Sequence, residues 1–250
     1  MFQGFYMATS GMLSRTRNLN VISNNMANVL TPGYKADEFM QSTFRQHLVA
    51  RTGNKDKAHP QQLGSMDYIA SSDETVTDYS NAGFRTTSSA LDVAINGSGF
   101  FAIQSEGGTL YTRNGSFTLD NEGYLTLPST GRVLGTNGPI RLGTDRVNID
   151  SSGNIFREDD NTFIGRIAIY DFADYQTDLN KTDNNLFIAS APAQLTNSPL
   201  VQRALEDSNA DMVEQMTKMM ASQRALQSSA SVLTSYDTLM GKIVSQLGPA

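Results

Sequence analysis

Apolar residues recur at alternating spacings of three and four positions in two long segments of the chain. The first row breaks only at Arg15, and the second breaks at Gln223 and Asp237. A seven-residue repeat of this kind keeps one stripe of a helix turned toward another helix. Neither row has an apolar partner beside it in sequence, so the two helices are expected to pair with each other, with neighbouring copies, or with both. The rows are Phe5, Ala8, Met12, Leu19, Ile22, Met26 and Val29, and then Met212, Met216, Met219, Leu226, Ala230, Leu233, Met240, Val244 and Leu247.

The ends of both helices carry recognisable signals. The first helix is predicted from about Gly4 to Asn28 or Val29, because Pro32 disfavours a helical conformation at the preceding residue and Gly33 permits a turn. The second is predicted from Ser208 to about Leu247, since Ser208 and the aspartate three residues later approximate a capping box. Both predicted helices are longer than an average globular helix.

Short strands separated by turn residues fill the middle of the sequence. Asn114-Gly115 lies between two alternating runs, which is a strong hairpin signal. Similar turns recur over residues 86–200 and indicate a closed or sandwiched antiparallel β domain. Residues 37–47 suggest a short second helix or a packed arm, and the polar residues 48–85 suggest an extended connector.

These elements together predict an α+β fold. Its long N- and C-terminal helices pair as a coiled-coil-like unit, and a central antiparallel β-rich domain lies between them in sequence. The predicted division assigns 1–47 and 205–250 to a helical terminal domain, 48–85 to the extended connector and 86–204 to the central β domain.

Composition narrows the function more by exclusion than by indication. The formal net charge of −6 and the pI near 4.9 give no electrostatic reason to expect nucleic acid or an anionic membrane as a partner. The absence of cysteine excludes disulfides and thiolate metal sites. The sequence shows neither a cleavable secretory signal nor a run of about 20 apolar residues. Composition alone would indicate a cytosolic protein.

Residues suited to catalysis are few, so no enzymatic activity, cofactor or metal is predicted. His47 and His59 are the only histidines, and neither has acidic or thiol companions at ligand spacing. Ser98 lies between two glycines in a pattern that fits a tight turn better than a nucleophile elbow or phosphate loop. A calcium site is the weaker interpretation of one acidic loop region, whose residues also suit ordinary turns: Asp150, Asn154, Asp159 and Asp160.

Four segments, in order along the chain, resemble the rod and hook proteins of the bacterial flagellum. Residues 22–34, ISNNMANVLTPGY, are similar to the family's N-terminal signature of Asn-Asn-x-Ala-Asn followed by a Thr-Pro-Gly-aromatic turn. Residues 91–101, LDVAINGSGFF, and 111–125, YTRNGSFTLDNEGYL, resemble the opening of the family's β domain. Residues 208–226, SNADMVEQMTKMMASQRAL, resemble its C-terminal signature. The chain departs from the family at Arg203 or Ala204, where glycine is usual, and at Ala210, where valine is usual.

The resemblance implies a structural subunit of the basal-body rod, proximal or distal, since the short central region lacks the large extra domain of hook subunits. Such subunits leave through the flagellar type III export apparatus without a cleaved signal, and they self-assemble through their terminal helices into a helical tube that transmits torque. The implied partners are copies of the chain, other rod or hook axial proteins and the export apparatus. The predicted assembly interface is Phe5, Met12, Leu19, Ile22, Met26, Val29, Met212, Met216, Met219, Leu226, Leu233, Met240, Val244 and Leu247.

Two other functions stay open at this point. One is a secreted binding module, such as a β-domain adhesin on a coiled-coil base, although an adhesin stalk usually puts its long helix on one side of the head. The other is a hydrolase with a β catalytic domain, which the small number of histidines disfavours.

Overall fold

The computed structural model describes residues 2–43, 46–51, 61–67 and 70–247. It has an N-terminal helix, a central antiparallel β-rich region and a C-terminal helix, which confirms the predicted α+β class. The chain forms two compact units. The helical unit comprises Met1–Met26, Asp37–Val76 and Met212–Ala250, and the β unit comprises Ala27–Ala36 and Thr77–Asp211.

The described residues form three α-helices and 21 strands. The helices are α1 (Phe2–Ala27), α2 (Tyr175–Asp178) and α3 (Met212–Leu247). The first four strands are β1 (Asp37–Thr43), β2 (Gln46–Arg51), β3 (Gln61–Asp67) and β4 (Ala70–Thr77). The others are β5 (Phe84–Thr86), β6 (Val93–Ile95), β7 (Phe100–Ser105), β8 (Gly108–Thr112), β9 (Thr118–Leu119), β10 (Leu125–Leu127), β11 (Gly131–Gly135), β12 (Gly138–Pro139), β13 (Val147–Ile149), β14 (Asn154–Arg157), β15 (Phe163–Arg166), β16 (Ile169–Asp171), β17 (Leu179–Thr182), β18 (Leu186–Ala189), β19 (Gln194–Thr196), β20 (Leu200–Gln202) and β21 (Ala204–Glu206).

The start of α3 differs from its prediction, whereas the extent of α1 agrees within two residues at each end. α3 begins at Met212 rather than at Ser208. The Ser208 Oγ accepts a hydrogen bond from the N–H of Ala210 at 3.2 Å, which closes a local turn. The N–H of Asn209 donates to the carbonyl of Tyr34. These bonds hold the segment in a non-helical path, so the helix begins only after it.

The described residues between 37 and 77 contain strands where the sequence suggested other structures. β1 occupies most of the proposed short helix or arm and pairs with β4. β2 and β3, within the proposed connector, form an antiparallel hairpin in which Leu48 is opposite Ser65. These strands are mostly polar and show no regular apolar alternation, which is why the sequence did not indicate them. Phe44 and His59 lie outside the described residues.

One ten-stranded sheet forms most of the β unit. Its main order is β17-β18-β8-β7-β11-β10-β9, with β12 on β11, β16 on β7 and β19 on β16. A three-stranded sheet, β13-β14-β15, and the pairs β20-β6 and β21-β5 complete the unit. All of these pairings are antiparallel, as the recurring hairpin turns predicted.

The β unit buries two hydrophobic clusters. The larger is mostly aliphatic and includes Ile95, Ile103 and Val133, each exposed by 1% or less. The smaller is largely aromatic and centres on Phe100 and Phe187, whose ring centroids lie 5.3 Å apart in an edge-to-face arrangement. These two clusters form the hydrophobic core of the β unit.

Asp171 lies beside the aromatic cluster and is held by three hydrogen bonds. Its carboxylate accepts from the Tyr175 hydroxyl at 2.5 Å, the Ser98 hydroxyl at 2.8 Å and the N–H of Phe172 at 2.9 Å. Burial raises the pKa of Asp171, but these bonds to the charged form outweigh burial and hold the pKa below its ordinary value.

Replacing Asp171 with Asn is expected to lower the free energy of unfolding at pH 7 by about 1–3 kcal/mol. A carboxylate with a depressed native pKa stabilises the fold above its unfolded pKa of about 3.9, and this stabilisation is lost as the pH falls through the native pKa. The difference in the free energy of unfolding between wild type and variant should therefore be smaller at about pH 3 than at pH 7. Urea unfolding at both pH values would measure it. Asp145→Asn, at an exposed position, is the control. An equal deficit at both pH values would contradict the interpretation.

Candidate functional site: the helix anchor and the helix faces

The segments that follow α1 and precede α3 are bonded to each other within the β unit. The N–H of Gly33 donates to the carbonyl of Glu206 at 2.8 Å. The N–H of Ala36 donates to the Oδ1 of Asn209 at 2.7 Å. The chain therefore enters and leaves the β unit at one place. Residues 33–36 and 206–210 together are called the helix anchor below.

A buried cluster of three charged side chains joins the two segments of the helix anchor. Glu206 accepts from the Lys35 Nζ at 2.8 Å through one carboxylate oxygen and from the Arg113 Nη1 at 3.1 Å through the other. All three side chains are exposed by 2% or less. Burial lowers the pKa of Lys35, and the Glu206 carboxylate opposes part of that effect. Glu206 is thus the anion that forms ion pairs with both buried cations.

Polar side chains also hold the backbone of residues 33–36. Asn185 donates through its Nδ2 to the carbonyl of Gly33 at 2.7 Å and accepts through its Oδ1 from the N–H of Lys35. The Lys181 Nζ and the N–H of Asp78 donate to the carbonyls of Lys35 and of the residue after it. These bonds replace the strand partners that this extended segment lacks.

Gly33 allows the turn of the Thr-Pro-Gly-aromatic motif for two reasons. Its φ of +66° lies in the left-handed region, which favours glycine. A Cβ at this position would also lie 2.4 Å from the carbonyl carbon of Arg113. The motif therefore places the Gly33 backbone against that of Arg113, and the next residue, Tyr34, packs with Ala36 and Ala210.

Asn25, the second residue of the Asn-Asn-x-Ala-Asn motif, has a structural role inside the helical unit. This buried side chain donates to the carbonyl of Asp37 at 2.8 Å and accepts from the N–H of the same residue at 3.0 Å. The amide thus pairs with the first residue of β1 as a neighbouring strand would. The sequence motif indicated the family, whereas this bonding is visible only in the structure.

Arg203 occupies a backbone conformation that suits glycine, and it is one of the two alternative positions, Arg203 or Ala204, at which the resemblance leads us to expect a glycine. Its φ is +56°, and it lies in the turn between β20 and β21. Its N–H donates to the carbonyl of Asp92 and its carbonyl accepts from the N–H of Thr87, both at 2.8 Å. Backbone bonds on both sides hold the residue in this conformation.

Arg203→Gly is expected to raise the free energy of unfolding by about 0.5–1 kcal/mol, because relief of the left-handed strain exceeds the entropy cost of glycine. Urea unfolding of the full chain would measure this. Arg85→Gly is the matched control: Arg85 lies in strand β5, where glycine weakens a strand, so this variant should lose stability. A loss of stability in Arg203→Gly would show that the arginine side chain matters more than its backbone strain.

The predicted interface residues differ widely in their exposure in the single chain. Among the described residues of α3, Met212 and Met216 are exposed, at 44% and 49%. In α1, Ile22 is buried and Phe5 is 47% exposed. The side chains of Val244 and Leu247 lie outside the described residues. The half-buried members are Met12, Leu19, Met26, Val29, Met219, Leu226, Leu233 and Met240.

The covered face of α3 is rotated slightly from the predicted row. Met219, Leu226, Leu233 and Met240 belong to both, but the second covered row consists of less apolar residues at seven-residue spacing: Gln215, Ser222, Ser229 and Tyr236. Gln223 and Asp237, the two residues that interrupt the predicted apolar row, are exposed and therefore do not lie on the covered face. Most residues of the second covered row are polar, so the apolar pattern did not indicate them, although their seven-residue spacing was a usable signal. Ser14 is a similar buried polar residue in α1.

The residues that the sequence offered for other chemistry make ordinary contacts where the structure describes them. No group of three or more histidine, cysteine or acidic residues there is placed to hold a metal ion. The Ser98 hydroxyl donates to Asp171, and the Asp150 carboxylate accepts from the Ser151 hydroxyl. His47 lies in β2. None of the described helices is long and apolar enough to cross a membrane.

Comparison with known proteins gives matches in all parts of the chain. Family models match residues 5–35 (flagella basal body rod protein), 94–157 (flagellar hook protein FlgE/F/G D1 domain) and 201–247 (flagellar basal body rod FlgEFG protein C-terminal). The flagellar basal-body rod protein FlgG of Bacillus subtilis is 33% identical over 98% of both chains. The rod protein FlgF of Caulobacter vibrioides is 30% identical over 99% of both chains.

Proposed function

The chain belongs to the flagellar basal-body rod protein family, and we propose that its terminal helices assemble with those of neighbouring subunits into a helical tube that transmits torque. As a family member it is a structural subunit of the rod in the flagellar basal body. The relatives are structural proteins, which favours a role without catalysis. The proposal rests on the family matches at both helical ends and in the region between them.

Within the helical unit, α1 and α3 pair antiparallel along their covered faces. The repeat spacing supports this pairing, and so does the burial of Ile22 in α1 and Ser222 in α3. This pairing agrees with the predicted domain division, in which 1–47 and 205–250 form one helical domain, 48–85 the connector and 86–204 the β domain. Contacts that repeat head to tail without closing a ring generate a helical filament, which is the geometry of a tube.

The helix anchor gives this assembly a path for force. Load carried by the helices reaches the β unit through residues 33–36 and 206–210, which the buried charges of Lys35, Glu206 and Arg113 hold together. The partners are copies of the chain, other rod and hook axial proteins, and the type III export apparatus. An adhesin-like module is less well supported, because the rod relatives align with both helical ends as well as with the β unit.

Replacing Leu226 and Leu233 with Asp should leave the subunit exported but the cells non-motile, with no rod completed beyond this position. Both side chains are half-buried on the covered face of α3, and charges there oppose helix pairing. The measurement is swimming in soft agar, together with electron microscopy of isolated basal bodies and detection of exported subunit.

Gln227→Asp with Thr234→Asp is the matched control, because it adds the same charges to the same helix at exposed positions. These cells should swim normally. Intact rods and normal swimming in the Leu226/Leu233 variant would contradict the proposed assembly through the covered face.

A further inference from the structure

Three asparagines of the β unit are each followed directly by glycine: Asn96, Asn114 and Asn137. Asparagine is chemically labile, because the backbone nitrogen of the next residue can attack its side-chain carbonyl carbon. Glycine has no side chain, so it hinders this attack least. The three dipeptides therefore have the same intrinsic chemistry, and differences in their reactivity must come from the fold.

The Asn114-Gly115 turn is held by bonds on both residues. Asn114 accepts through its Oδ1 from the N–H of Ser116 at 3.0 Å, and its own N–H donates to the Thr112 Oγ1 at 3.1 Å. Gly115 is buried, and its carbonyl accepts from the N–H of Val93 at 3.1 Å. A Cβ at Gly115 would lie 1.6 Å from the Val93 carbonyl oxygen. The two reacting groups can meet only if these contacts open.

The peptide bond after Asn96 is held from both sides, although the Asn96 side chain is exposed. The N–H of Asn96 donates to the carbonyl of Pro199 at 2.8 Å. The carbonyl of Gly97 accepts from the Arg113 Nη2 at 2.7 Å. Arg113 is itself fixed by its buried ion pair with Glu206. Rotation of this peptide bond toward the side chain would disturb the buried charges of the helix anchor.

Asn137 lies in the turn between β11 and β12 and has the most open surroundings of the three. Its side chain is exposed, and a Cβ at the following Gly138 would meet nothing within 4 Å. Gly138 pairs with Gly135, but the next pair of this short ladder contains Pro139, which has no N–H to donate. A two-residue strand with a missing donor opens locally at a small cost in free energy.

We propose that Asn137 is the deamidation site of the folded chain. The Gly138 nitrogen bonds to the Asn137 Cγ, the bond from Cγ to Nδ2 breaks, and ammonia leaves with the proton of the Gly138 N–H. Water then adds across one C–N bond of the resulting succinimide ring. The product is aspartate or isoaspartate, so the turn gains one negative charge. Isoaspartate also inserts the Cβ into the main chain of the turn. This modification does not depend on the proposed assembly.

The test follows all three asparagines in one purified full-length chain, so that each site is a control for the others. The chain is incubated in mildly alkaline buffer, with and without urea, and conversion at each site is measured by peptide mapping with mass spectrometry. In the folded chain we expect Asn137 to convert about tenfold faster than Asn96 or Asn114, or more. In urea the three rates should become similar, because the structural restraints are then absent.

Three results would overturn the inference. One is equal conversion at the three sites of the folded chain, and another is faster conversion at Asn96 or Asn114 than at Asn137. The third is conversion in urea without any in the folded chain, since the turn between β11 and β12 would then protect Asn137 as well. Asn137→Gln should abolish the ammonia released by the folded chain, which confirms the source of the product independently of peptide mapping.

Discussion

Replacing Glu206 with Ala is expected to lower the free energy of unfolding of the β unit by about 3–5 kcal/mol. The substitution leaves Lys35 and Arg113 buried next to each other without the carboxylate that compensates them. It also opens the contact that joins the two segments of the helix anchor. Because both long helices connect to the β unit there, we expect the same variant to assemble poorly into rods.

Urea unfolding followed by the near-ultraviolet circular dichroism of tyrosine would measure this effect, since the chain has nine tyrosines and no tryptophan. Asp207→Ala is the control at the adjacent residue. Asp207 forms an exposed ion pair with Arg85 at 3.6 Å, and exposed pairs contribute only about 0–1 kcal/mol. A similar, small effect for both variants would show that the buried cluster does not stabilise the anchor.

Gly33→Ala is expected to cost about 2–5 kcal/mol, from left-handed strain together with a forced shift of the Arg113 backbone. The added methyl group has no flexible side chain to displace, because its nearest neighbours are backbone atoms of residues 113 and 114. The turn after α1 would have to move away from the Arg113 backbone, so subunit stability and rod completion should fall together.

Gly241→Ala is the matched control for Gly33→Ala. A Cβ at Gly241 meets nothing within 4 Å, and the residue lies inside α3, where alanine is favoured over glycine. The control should therefore keep or slightly raise the melting temperature. Wild-type stability in Gly33→Ala would mean that the backbone near residue 113 adapts easily, which would contradict the description of a rigid anchor.

Local patterns in the sequence were sufficient for the fold class, the extent of α1 and the antiparallel β region. Heptad spacing, the Pro32-Gly33 stop and the Asn-Gly turns act over a few residues, so they can be recognised without tertiary contacts. The family followed from four ordered motifs. None of these patterns indicated strands β1 to β4, because these segments are mostly polar and lack a clear alternation of apolar residues.

The helix anchor shows what local patterns could not reveal. Lys35, Arg113 and Glu206 are ordinary charged residues in sequence, separated by 78 and 93 positions, and only the folded β unit brings them together away from water. The sequence by itself determined that two amphipathic helices flank a β domain, because periodicity is a local property. The tertiary structure alone decided where α3 begins and which helix faces are covered, because both depend on hydrogen bonds and packing between distant segments.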